Sequence, residues 1–156
     1  MNEALAAEFG NRRLLIGAKE AGAGSLLAAL VRHWKPKPES VALVSQVAAP
    51  YFADVPVHAE IVDDAFTLDD TVRVLGRVHP EAVVVGASEG TSIEKLLIDA
   101  SRQPDSRMRV TSFVDHYWNL WQRFADEHTA ERWRYRPDRI FVPAPSCVTR
   151  LLSQGA

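Results

Sequence analysis

The sequence predicts an open, mostly parallel β-sheet covered by helices on both faces. Three observations carry that expectation. Apolar runs of strand length alternate with helical stretches along the whole chain, the order that builds βαβ units. The first and fourth runs, Leu14-Leu15-Ile16 and Val83-Val84-Val85, are uninterrupted, as in strands buried on both faces. One phrase also occurs twice: Leu14 to Glu20 is echoed by Val83 to Glu89. Each copy is an apolar run closed by Gly-Ala, with a glutamate three residues after the glycine and a Gly/Ser/Thr-rich entry to a helix.

The elements follow in order. Met1 to Phe9 is Ala/Glu-rich and reads as a short helix or arm. Arg13 to Ala18 is the first strand. Ala21 to Trp34 carries Leu26, Leu27, Leu30, Val31 and Trp34 on one helical stripe, and Pro36 and Pro38 stop it. Ser40 to Ser45 is a second strand, Gln46 to Phe52 a helical turn interrupted by Pro50, and Val57 to Val62 a third, weaker strand. Thr67 before Leu68-Asp69-Asp70 has the form of a cap with acids in the first turn, opening a helix that runs to about Val78. Ala82 to Ala87 is the fourth strand, and Thr91 or Ser92 caps a helix containing Ile93, Leu96, Leu97 and Ala100. Arg109 to Val114 is the fifth strand. Tyr117 to Ala125 is expected as an aromatic-rich helix, with Tyr117, Leu120, Trp121 and Phe124 on one face. Arg139 to Val142 is a sixth strand and Ser146 to Leu152 a last short helix.

Composition narrows the classes. The 156 residues fit one domain, and 47% apolar with 24% charged residues is ordinary for a globular protein. A net charge of −2 provides no field for nucleic acid. The local run Arg132-Trp133-Arg134-Tyr135-Arg136 is best read as a solvated loop pinned by its aromatics. Cys147 is the single cysteine, which excludes an intrachain disulfide and zinc held by cysteine pairs; it reads as a small buried hydrophobe. The N-terminus lacks the form of a signal peptide and no run is long enough to span a membrane, so a cytoplasmic protein is expected. The histidines show no metal-ligand spacing, and no metal or cofactor is predicted.

The doubled phrase places two polar loops and two helix N-termini at one edge of the sheet, where open α/β sheets bind ligands. The first loop, Gly17-Ala18-Lys19-Glu20-Ala21-Gly22-Ala23-Gly24-Ser25, offers close backbone approach and helix N–H groups to an anion. Its glycines have neither dinucleotide-fingerprint nor Walker spacing, and a tight turn with small residues for packing explains them equally well. In the second loop, Gly86 to Ser92, the hydroxyls of Ser88, Thr91 and Ser92 and the backbone at Gly90 suit a phosphate or sugar hydroxyls. Glu89 suits a ribose contact or a base, and Thr91 and Ser92 also serve as caps for a first turn containing Glu94-Lys95. Glu20 and Glu89 at matched positions would form an acid/base pair if close, whereas Lys19 beside Glu20 suits a plain surface ion pair. Asp115 and His116 close the fifth strand; neighbours on a strand end point apart, so they face a ligand separately, or Asp115 caps the next helix. Asn119 and Arg123, spaced i, i+4, reach the cleft or pair with Asp115.

The ordered series Gly17 to Ala23, Gly86 to Lys95, Val114-Asp115-His116-Tyr117-Trp118-Asn119 with Arg123-Phe124, and Pro137 to Val142 resembles the N-terminal Rossmann-like half of bacterial proteins related to GT-B glycosyltransferases and UDP-sugar 2-epimerases. The resemblance spans nearly the whole chain. It implies a three-layer α/β/α domain with six or seven strands and a role in surface-sugar or polysaccharide metabolism. It also implies a second domain, so that either a partner supplies one or the chain is a binding module; a homodimer is a further expectation. The resulting expectation is a site for a nucleotide, nucleotide sugar or phosphorylated sugar. Gly17, Lys19, Glu20, Gly22, Gly24, Ser25, Gly86, Ser88, Gly90, Thr91, Ser92, Asn119 and Arg123 would contact the ligand. Glu89, Asp115 and His116 would set specificity or move protons. A rival is a non-catalytic interaction module whose aromatics Tyr117, Trp118, Trp121, Trp133 and Tyr135 meet a partner, for which exposure of Trp118 is the mark. A hydrolase using His116 with Ser88 or Cys147 lacks any nucleophile-elbow signature.

Overall fold

The computed structural model describes residues 2–104, 106, 108–129 and 131–156; Met1 of the expected first helix lies outside them. The elements are α1 (Asn2–Phe9), β1 (Leu14–Ala18), α2 (Ala21–Trp34), β2 (Val41–Val44), β3 (His58–Ile61), α3 (Leu68–Val78), β4 (Ala82–Val85), α4 (Ile93–Ser101), β5 (Val110–Phe113), β6 (Arg139–Phe141) and α5 (Pro145–Ser153). The strands form one six-stranded sheet in the order β3-β2-β1-β4-β5-β6, and each neighbouring pair is parallel. That is the doubly wound order of a Rossmann-like fold, with its switch point between β1 and β4.

The uninterrupted apolar runs are explained by a core on each face. Leu14, Ile16, Ala42, Val44, Ala82 and Val84 point to one face, where α1 and α2 cover them with Leu5, Phe9, Leu27, Val31 and Trp34. Leu15, Val41, Leu43, Val83, Val85 and Val110 point to the other, beneath Val74, Leu75 and Val78 of α3 and Leu97 and Ile98 of α4. Alternate residues of β1, β2 and β4 therefore bury on opposite faces. Gly17 and Gly86 permit this closeness. A side chain at Gly17 would meet Leu97, and one at Gly86 would meet Ala23 on α2.

Helix ends follow local chemistry. Thr67 accepts from the Asp70 N–H while Asp70 accepts from the Thr67 N–H, a reciprocal capping box on α3. Ser92, rather than Thr91, accepts from the Lys95 N–H at the start of α4. Lys35 and His79 take left-handed conformations that close α2 and α3. Pro50 does not break its turn but lies in the first turn of a 3-10 helix, Ala49–Phe52, where a missing N–H costs nothing.

One expected element is corrected. Tyr117 to Ala125 is not a continuous helix: bends and turns lead only to a 3-10 turn at Gln122–Phe124. Asn119 sits at φ 50, a left-handed conformation that a right-handed helix cannot pass through. The aromatics consequently divide. Leu120 and Phe124 bury against Cys147 and Leu151 of α5, whereas Tyr117 and Trp118 face solvent. Trp133 stacks on Phe124 and donates to the Gln154 carbonyl, pinning the arginine-rich loop as its composition suggests.

Gly76, in the last turn of α3, is a glycine without an intramolecular reason. An added Cβ would meet nothing within 4 Å, and glycine costs a helix interior about 1 kcal/mol relative to alanine. Gly76→Ala should therefore stabilise dilute protein by ~1 kcal/mol, a rise of ~2–4 °C in Tm by calorimetry for a domain of this size.

Candidate functional site

Both helices that start at the switch point receive one of the chain's own carboxylates. Glu94, in the first turn of α4, is buried, and its Oε1 accepts from the Lys19 N–H at 2.9 Å and the Ser88 hydroxyl at 2.8 Å. One carboxyl thus ties the loop after β1 to the loop after β4. Its Oε2 is buried and has no hydrogen-bond partner among the described residues. Burial raises the Glu94 carboxyl above its ordinary value of 4.5, and hydrogen bonds from Lys19, from its own N–H and from Ser88 oppose that rise. The next residue, Lys95, is also buried and donates to the Ala125 carbonyl at 2.8 Å. Its ammonium is depressed by desolvation, against which the charges of Glu127 and Asp126 act.

Asp115 serves the other helix. Its carboxylate lies where a side chain at Gly22 would have to go, in the first turn of α2, so a residue larger than glycine there would displace it. The seat expected for a ligand anion is held by an internal one, which suits the positive end of the helix. Asp115 Oδ1 is buried without a hydrogen-bond partner among the described residues and lies 3.8 Å from both Arg123 Nη1 and His116 Nε2.

Arg123 organises this side of the crevice. Its side chain is only 3% exposed. Nη1 donates to the Ala87 carbonyl and lies 3.9 Å from Glu20 Oε2, and Nε donates to the Trp118 carbonyl at 3.4 Å. Nη2 lies 2.5 Å from His116 Nε2 and 3.0 Å from Nδ1. A guanidinium has only donors, so the imidazole nitrogen it bonds must accept. The i, i+4 partner of the sequence reading, Asn119, instead donates to Glu89 Oε1 at 2.7 Å. Glu20 and Glu89 thus take different partners. Lys19 does not pair with Glu20; its ammonium donates to the Thr91 carbonyl at 2.6 Å.

Next to this crevice, at the C-terminal ends of β1, β2 and β3, lies a cleft of about 370 Å³. Lys19, Ser45, Thr91 and Ser92 line its polar side, Val62, Phe66, Ile93 and Leu96 its apolar side, and Asp63 and Asp64 its far end. A larger depression, about 750 Å³, opens at the opposite edge of the sheet. Its acids are engaged internally: Glu8 pairs with Arg139 at 2.7 Å, Glu81 with Lys37 at 2.8 Å, and Asp138 accepts from the Val110 N–H at 2.7 Å. The cleft beside Lys19 is the better site because of its position at the strands' C-terminal edge and its mixture of apolar wall and convergent polar groups.

The structure brings Lys19, Thr91 and Ser92 together in the cleft, and Glu20, Asp115, His116 and Arg123 together beside it. Ser88 points inward to Glu94, Gly24 packs on Ala48, and Ser25 is exposed on α2. Gly90 has φ 75, which its turn requires, and a side chain there would meet Glu127 Oε1 at 3.0 Å. Sequence reasoning missed Ser45, Asp63 and Asp64, whose only signal was that each follows a strand ending at this edge. It also missed Glu94, which it placed only in the first turn of a capped helix.

No protein-family model matches the chain, and no curated protein sequence matches it significantly. Among solved structures, one assigned as a UDP-N-acetylglucosamine 2-epimerase from Listeria monocytogenes superposes on 92% of the chain with a TM-score of 0.52 at 14% identity. The fold is Rossmann-like. The chain spans 42% of the length of that neighbour. Among the described residues, no helix is long and apolar enough to cross a membrane, and no three His, Cys, Asp or Glu side chains gather to hold a metal.

The raised carboxyl of Glu94 makes stability depend on pH. Its neutral form is favoured in the folded state, so its contribution is complete below the unfolded value and is lost as pH rises through the higher folded value. Glu94→Gln keeps the acceptor and removes the charge. In urea titrations at pH 5 and pH 8, the variant's stability relative to the parent should improve at the higher pH. Glu94→Ala leaves the Lys19 N–H and the Ser88 hydroxyl unpaired and should cost about 1–3 kcal/mol at pH 5, and less at pH 8 where the buried charge is removed with it.

Proposed function

We propose that this chain is a small-molecule-binding domain whose ligand is a nucleotide, a nucleotide sugar or a phosphorylated sugar, seated in the cleft beside Lys19. One observation carries the reading: an ammonium, two hydroxyl side chains and the start of α4 converge on a cleft with an apolar wall and two acids at its far end. A phosphate would take the Lys19 ammonium and the hydroxyls of Thr91 and Ser92, while the Ser45 hydroxyl is spent on the Lys19 carbonyl. A base or sugar ring would lie on Phe66, Val62 and Leu96, and Asp63 and Asp64 would accept from ribose or sugar hydroxyls. The apolar wall and few convergent polar groups are what a small-ligand pocket of this size needs.

Glu20, Glu89, Asp115 and His116 border the crevice next to that cleft and are the groups for sugar hydroxyls and for proton transfer. Arg123 holds His116 and faces Asp115 and Glu20, so it orients that set rather than offering itself to an anion. Gly17, Gly22, Gly24 and Gly86 support the site by permitting close packing around it. The resemblance to GT-B enzymes and UDP-sugar 2-epimerases, with the epimerase fold among the chain's structural neighbours, supports a cytoplasmic role in surface-polysaccharide metabolism. A glycosyltransferase-like or epimerase-like reaction would require a second domain or subunit to close over this edge.

A second reading has its own observation. Trp118 is 61% exposed and Tyr117 55% exposed, with ring centroids 5.3 Å apart, on the loop after β5. An interaction module would present such a pair to a protein partner.

Calorimetric titration with UDP, UDP-N-acetylglucosamine and glucose 1-phosphate separates the two. A saturable ligand should lose about tenfold or more in affinity in Lys19→Met, the equivalent of one charged hydrogen bond. Trp118→Ala should leave that affinity unchanged. Silence across the panel, or affinity indifferent to Lys19, would abandon the cleft for the aromatic surface.

A further inference from the structure

We propose that the depression at the strands' N-terminal edge is a second binding site, for a diphosphate group clasped between Arg12 and Arg109. Among the described residues, none that lines this depression of about 750 Å³ also lines the cleft beside Lys19, so the inference stands apart from the ligand reading above.

The charges of the depression decide its ligand. Its three acids are spent: Glu8 on Arg139, Glu81 on Lys37 and the Arg13 N–H, and Asp138 on the Val110 N–H. Two of its cations are not. Arg12 and Arg109 are exposed, and among the described residues their guanidiniums meet no hydrogen-bond or ion-pair partner. The three arginines of the lining, with Lys37 behind Glu81, set four cations against three acids. In a chain whose net charge is −2, this edge is locally positive and draws anions.

Both arginines are fixed at the backbone while their side chains stay unengaged. The Arg12 carbonyl accepts from the Lys37 N–H at 2.8 Å as the chain enters β1, and the Arg109 carbonyl accepts from the Val83 N–H at 3.3 Å as it enters β5. Since β4 runs between those two strands, the two positions stand about 10 Å apart across the sheet. Each guanidinium presents a planar fork that matches one phosphate, so two forks facing one depression match two linked phosphates. Phe9, Pro80, Ala82 and Met108 give an apolar floor beside the forks, on which the organic part of a diphosphate ester would lie.

Calorimetric titration of the full chain with inorganic pyrophosphate tests the proposal. At an ionic strength of about 0.15 M the Debye length is about 8 Å, which screens distant charges. A saturable site is expected, and Arg12→Gln and Arg109→Gln should each weaken it about tenfold or more, the equivalent of one charged hydrogen bond. Inorganic phosphate, able to engage only one fork, should bind the parent about tenfold more weakly or worse. Lys35→Gln removes an exposed charge from the same edge but outside the depression, and should leave the affinity unchanged. Circular dichroism and melting curves check the folding of each variant. No saturable heat up to about 10 mM pyrophosphate overturns the proposal. So does a folded Arg12 or Arg109 variant that binds like the parent, or phosphate binding as tightly as pyrophosphate. An equal loss in Lys35→Gln would mean diffuse attraction, and a loss confined to Lys19→Met would mean binding in the cleft; either result overturns it as well.

Discussion

The buried carboxyl of Glu94 is the constraint on which the site depends. A parallel sheet brings the loops after β1 and β4 to the same edge, but it does not hold them at a fixed separation. Glu94 does, by accepting from the backbone of one loop and the hydroxyl of the other. Lys19 is placed by that bond at its own N–H, and its ammonium then reaches the Thr91 carbonyl in the second loop. The polar wall of the cleft is thus assembled through one acid that no ligand would touch. Its unpartnered oxygen and raised carboxyl show that the arrangement carries a desolvation cost.

Arg123 plays the corresponding part across the switch point. Its buried guanidinium gathers the Ala87 carbonyl, His116, Asp115 and Glu20 from three different loops. The crevice consequently has two characters. On the β2 and β3 side it offers the Lys19 ammonium, held by the Thr91 carbonyl, and hydroxyls beside an apolar wall. On the β5 side it offers carboxylates and an imidazole already oriented by an arginine. The proposed phosphate is assigned to the first side because the α2 N-terminus on the second is already answered by Asp115.

Much of the framework was legible in the residues themselves. Each of the six strands was placed from the residues, β3 as a weaker one, and the doubled Gly-Ala-x-Glu phrase set the loops after β1 and β4 at one edge of the sheet. The capping box at Thr67 and the ring of small residues around Gly17 and Gly86 are local devices, readable because their chemistry acts within a few residues or a single packing contact. The segment after β5 was not readable in this way. Its apolar spacing matches a helix, and only tertiary bonds from Arg123 to the Trp118 and Ala87 carbonyls favour the irregular path with Asn119 left-handed.

The sequence by itself therefore determined the layers and the edge that carries the polar loops, because apolar periodicity and turn chemistry are properties of neighbours along the chain. Only the tertiary structure decided which polar groups line the cleft and which are consumed in holding its loops together. Glu94 reads as part of a capped first turn, Ser88 as a ligand hydroxyl and Gly22 as part of an anion cradle. Folding turns the first two inward and sets Asp115 against the third. The physical reason is that a buried charge or hydroxyl must find a partner, and at this edge the partners come from loops dozens of residues apart.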